Sequence, residues 1–86
     1  MPVICYFFGI YIKMFFNEHN PPHFHAEYEG NDVEINIQTG EVVSGSLSPR
    51  ALRFIEEWRQ QHINELMEDW ELARNKQLPK KIKPLE

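Results

Sequence analysis

The stretch His23-Phe24-His25-Ala26-Glu27-Tyr28, then Glu29-Gly30-Asn31-Asp32, then Val33-Glu34-Ile35-Asn36-Ile37-Gln38, decides the fold. Its apolar side chains fall on every second position: Phe24, Ala26 and Tyr28, then Val33, Ile35 and Ile37. A period of two is that of a strand with one buried face. The residues between the two runs are turn formers. The pair therefore reads as an antiparallel hairpin. One face is apolar; the other carries His23, His25 and Glu27 beside Glu34, Asn36 and Gln38.

Working outward, Val3 to Phe8 and Ile10 to Phe16 are rich in β-branched and aromatic residues around Gly9. They read as two strands, or as one strand bent at the glycine. Asn17 to Pro22 is a loop, stiffened by Pro21-Pro22. Downstream, Thr39-Gly40 turns the chain and Glu41 to Leu47 returns as a further strand. Consecutive strands joined by tight turns predict an antiparallel β-meander.

Ser48-Pro49 is a helix start, with a capping serine followed by proline at the first helical position. Helical periodicity runs to about Asn75, but its apolar direction shifts. Ala51, Leu52, Phe54, Ile55 and Trp58 point one way; Ile63, Leu66, Met67 and Trp70 point roughly 90° away. One straight helix would also be ~40 Å long, more than a small sheet covers. A bend or break is expected near Gln61-His62-Ile63-Asn64, giving one bent helix or two helices. Otherwise Ile63, Met67 and Trp70 must face another chain. The expectation is one α+β domain over residues 1–86. Residues 1–48 form the sheet, 49–75 are helical and packed on one face, and 76–86 form an extended basic tail lying in solvent.

Eighty-six residues give a thin core, so self-association would help, and a homodimer is expected. The single cysteine, Cys5, sits in an apolar run, which suits a buried small hydrophobe in a reducing cytoplasm. Met1 to Phe16 is apolar but has no basic leader or small-residue cleavage site, and it is too short to span a membrane. The net charge of −4 is uneven. Most of the body is acidic, which argues against strong general affinity for nucleic acid, while Lys76, Lys80, Lys81 and Lys83 make only the tail basic.

Three of the four histidines, His19, His23 and His25, occupy seven residues. Residues two apart on a strand are ~6.6 Å apart, so His23 and His25 can converge on one ligand. Such imidazoles suit a divalent transition metal, with His19 or Glu27 as third ligand. They equally suit metal-free acid–base catalysis by His19, His23 and His25, since histidine titrates near neutrality. The plain structural reading is a polar sheet face with His25 and Glu27 as a surface pair. Arg50 and Arg53 open the helix, where they could take a phosphate or a partner. Solvated helix charge is the plainer account of both.

Phe7-Phe8-Gly9-Ile10, His19-Asn20-Pro21-Pro22-His23-Phe24-His25-Ala26, Thr39-Gly40-Glu41-Val42, Pro49-Arg50-Ala51-Leu52 and Trp70-Glu71-Leu72-Ala73-Arg74 occur here in that order. Together they resemble a small bacterial family, domain of unknown function 4160, over nearly the whole chain. The family name carries no activity. The resemblance implies a component of a two-gene cassette of the toxin–antitoxin kind, with a small partner protein encoded nearby and RNA as substrate. Two functions follow as expectations. One is a toxin-type module using His19, His23 and His25 on RNA; the other is a non-catalytic module that binds a partner, with a metal at the same histidines.

Overall fold

The computed structural model describes residues 2–16 and 18–86. Five strands, β1 (Val3–Phe7), β2 (Ile10–Lys13), β3 (His23–Tyr28), β4 (Asn31–Asn36) and β5 (Val42–Gly45), lie in chain order in one sheet. All four pairings are antiparallel. The alternation at the centre holds: Phe24 pairs with Ile35 and Ala26 with Val33, and all four are buried. Gly9 closes a two-residue turn between β1 and β2, so the N-terminal segment is a hairpin and not a bent strand.

Helices α1 (Pro49–Gln61) and α2 (Ile63–Arg74) follow. Ser48 caps α1 through its side chain, which accepts from the Ala51 amide, and Pro49 opens the first turn. His62 breaks the helical run with φ −133°. The break lets both apolar stripes enter one core: Ile55 and Trp58 from α1, and Leu66, Trp70 and Ala73 from α2, are buried with the sheet residues. Trp58 lies with its ring 5.7 Å from Phe7 and 5.8 Å from Phe24. Trp70 is therefore covered within the chain, and Ile63 and Met67 pack partly against the same core. No second chain is required to cover them, which removes the sequence argument that a partner must bury this segment.

The tail departs from expectation. It is extended, but it is not a solvated appendage. Pro79, Ile82 and Leu85 are buried, at every third position, the repeat of a polyproline II strand. The Ile82 amide donates to the Ile4 carbonyl at 2.9 Å, and the Lys81 ammonium to the Val3 carbonyl at 2.7 Å, so the tail lies along β1. The Trp58 indole donates to the Lys83 carbonyl at 2.9 Å, and the Lys80 amide to Asp69 Oδ1 at 2.9 Å. The lysine heads of the tail remain in water, as do Gln77, Leu78, Pro84 and Glu86.

Arg59 is buried as well, as are His23 and Asp69. Its guanidinium holds both carboxylate oxygens of Glu56 and donates to the Ile37 carbonyl at 2.8 Å. The turn after β4 passes over this fork at Gly40, φ +81°, where a Cβ would come within 2.5 Å of Glu56 Oε1. No helix among the described residues is long and apolar enough to cross a membrane.

Candidate functional site

His23 and His25 leave β3 on the face opposite Phe24, as the alternation requires. Their rings lie 5.2 Å apart in an edge arrangement. They are not equally open. His23 is only 6 % exposed, and its ring lies 5.1 Å from Trp70, because α2 reaches the end of the sheet where β3 begins. The expectation that His23 points clear of the helical layer is thus corrected. His25 is partly exposed and takes the ring of Phe15 against it at 4.3 Å.

The carboxylate beside the pair is Glu18, not Glu27. Glu18 Oε1 lies 2.7 Å from His25 Nε2 and 3.5 Å from His23 Nε2. One donor atom from each of the three residues fits within 4.8 Å of the others. Glu27, expected as third ligand, is instead paired with Lys13 across the neighbouring strand. His25 and Glu27 do not form the surface pair of the plain reading either. His19 is exposed and stands at the rim of a cleft of about 210 Å3 that Glu18, Asn20, Pro21, His23, Glu34 and Val43 also line.

The hydrogen bonds set the protons. A carbonyl oxygen only accepts, so His23 Nδ1, 2.8 Å from the Pro21 carbonyl, carries a hydrogen and donates. That leaves Nε2 of neutral His23 as a lone pair aimed at a carboxylate oxygen. Two acceptors facing each other at 3.5 Å call for a proton or a cation between them. Burial works to raise the Glu18 carboxyl, but the hydrogen bond from His25 and the positive charge that either imidazole carries when protonated outweigh it and hold Glu18 below the ordinary range. Glu18 is the ionised member of the group.

The surroundings are acidic. Glu34 lines the His19 cleft, and Asp32 and Glu34 line a neighbouring groove with His25, Lys13 and Phe15. The only cation among them, Lys13, is engaged with Glu27. Arg50 and Arg53 stand on the first turns of α1, near the opposite end of β3, and do not join the site. His62 stands apart as the hinge of the two helices, where it pairs with Glu65. Burial pushes the Cys5 thiol up to about 11, which keeps it protonated and inert as expected of a buried small residue.

The model of the family described as Domain of unknown function (DUF4160) matches residues 9–71. The chain belongs to this family. The match spans both histidines of β3, Glu18 and Trp70, so the site lies within the part that DUF4160 defines. Comparison with curated proteins and with solved structures gives no match. Family membership of this DUF4160 chain thus brings no activity with it, and function rests on the site.

The sequence reading missed Glu18, Phe15 and Trp70. A carboxylate one residue before His19, in a loop short enough to fold back over β3, was the available signal for Glu18.

Proposed function

We propose that this chain is a metal-binding module whose function centres on one divalent transition ion held by Glu18, His23 and His25. The observation that carries it is the convergence of three donor atoms within 4.8 Å, with the far nitrogen of His23 already donating to a backbone carbonyl. That last feature is the usual outer support of a metal-bound imidazole. Tetrahedral zinc with bonds of ~2.1 Å sets its ligands about 3.4 Å apart, a small rearrangement from the distances found. Two imidazoles and one carboxylate suit zinc and the later first-row ions, and leave coordination positions open. A bound ion there would activate water or polarise a substrate oxygen. His19, on the rim of the cleft, is placed to exchange a proton with a ligand bound there.

The second reading is the toxin-type component of a toxin–antitoxin cassette, with metal-free acid–base chemistry on RNA by His19, His23 and His25. The Glu18–His25 hydrogen bond favours it, because a carboxylate orients the imidazole as in known acid–base dyads. The acids around the site oppose it, since each phosphate of RNA would meet Glu18 and Glu34. Either reading suits a protein acting in the cytoplasm with a partner, whether a second copy or a neighbouring gene product. Arg50 and Arg53 would serve the partner and not the chemistry.

Calorimetry with zinc and nickel, on wild type and on His23→Ala/His25→Ala, tests the first reading. Saturable binding by wild type alone supports it; equal affinity in both proteins ends it. Expression of the wild type and of the double variant, alone and beside the neighbouring gene, tests the second. Growth arrest that needs the histidines, is relieved by the neighbour and survives metal chelation would favour acid–base chemistry.

A further inference from the structure

At the far end of β3 from the histidines, a cavity of about 240 Å3 opens between the β1–β2 turn and the start of α1. Phe8, Ile10, Tyr28, Arg50, Ala51 and Phe54 line it. Four of its walls are large and apolar, one is cationic, and none is acidic. We propose that it binds a small monocarboxylate bearing one aromatic ring or branched apolar group. Arg50 takes the carboxylate; Phe8, Ile10, Tyr28 and Phe54 take the apolar part.

Phe8 is the first argument. It sits at φ +51° in a two-residue turn with Gly9 at +80°. Such turns favour Asn-Gly, and a bulky side chain at positive φ is strained. The ring is also 54 % exposed. Neither local conformation nor burial selects phenylalanine here. What the ring does is wall the cavity, 5.0 Å from the ring of Phe54.

Arg50 is the second. In a chain with 13 acids and 9 Lys and Arg, an arginine has ample choice of partner. Among the described residues Arg50 has no carboxylate partner and lies over the face of Phe54, 5.6 Å from its centroid. Stacking holds the guanidinium fork at the mouth of the cavity with its donors unspent. A fork of that shape takes a carboxylate in two parallel hydrogen bonds. Size completes the case. Sites for drug-sized ligands start at roughly 300 Å3, so this cavity suits a single ring or branched chain with its acid group.

Amide NMR titration of the whole chain tests it, with phenylacetate as the acid, 2-phenylethanol as its neutral counterpart and inorganic phosphate as the bare anion. Phenylacetate should shift Phe8, Gly9, Tyr28, Ala51 and Phe54 in a saturable way. The alcohol should bind at least about tenfold more weakly, as should phenylacetate with Arg50→Gln, since a charge-assisted pair is lost. Arg50→Lys should recover part of the loss. Binding of N-acetylglycyl-phenylalanine about tenfold tighter than phenylacetate would support the same chemistry and identify its source as a chain terminus. Four results would each overturn the proposal: no saturable shift with either acid, equal affinity for acid and alcohol, saturation by phosphate alone, or unchanged binding by a well-dispersed Arg50→Gln.

Discussion

Nε2 of His25 lies 2.7 Å from Oε1 of Glu18, so a residue of the loop before β3, and not its strand neighbour Glu27, supplies the carboxylate of the histidine pair. Glu27 stands two positions along the same strand face and is held by Lys13. The two acids therefore make opposite predictions.

Glu18→Gln should weaken zinc binding by more than about 100-fold, beyond the 10–100-fold typical of an outer-shell change. Glu27→Gln should leave it unchanged. At a pH where either imidazole is protonated, binding should also release a proton, because each ligating nitrogen must be free of hydrogen. Calorimetry in buffers of differing ionisation heat reads both effects. Equal losses in the two variants would reject this ligand set.

Asp69 should make stability depend on pH in a direction opposite to most carboxylates. It is buried, its Oδ2 has no partner among the described residues, and burial raises its carboxyl above the ordinary 3.8. A raised folded value means the contribution is fully present below the unfolded value and is lost as pH rises through the folded one. Glu18 and Glu56 act the other way: their folded values are lowered, so their contribution is present at higher pH and lost as pH falls through those values. As pH rises from about 4, Asp69→Asn should remove the loss of stability that Asp69 contributes in wild type. Urea unfolding across this range measures it, and parallel curves would contradict it.

Ile82→Ala should destabilise the chain by about 2–4 kcal/mol, as for any buried isoleucine. Lys80→Ala should change little, because its ammonium is exposed and its amide makes the bond to Asp69. Chemical denaturation of both variants checks this. Equal and small effects would mean that the tail leaves the core in solution.

Gly40→Ala should cost about 1–2 kcal/mol from the left-handed backbone alone. The added Cβ would also press on the Arg59–Glu56 fork, which is anchored at the Ile37 carbonyl. In Arg59→Met, where that fork is gone, Gly40→Ala should cost less than in wild type. A double-mutant cycle gives the difference, and strict additivity would contradict the coupling.

The sequence by itself determined the elements. Alternation at period two fixed which faces of β3 and β4 are buried, and Ser48-Pro49 fixed where the helices begin, because both signals are local. The 90° shift of the apolar stripe required the break at His62, since one rigid helix cannot turn two faces to one sheet. What only the tertiary structure decided lies where residues distant in sequence meet. Glu18 reaches the histidines through a loop whose path no periodicity encodes. Trp70 closes over His23 only once α2 has folded back across the sheet. The tail reads as basic and soluble by charge, yet its threefold spacing buries Pro79, Ile82 and Leu85 beside β1 and Trp58. Strand and helix patterns report which side of an element is apolar. They carry no information on which other element arrives to cover it.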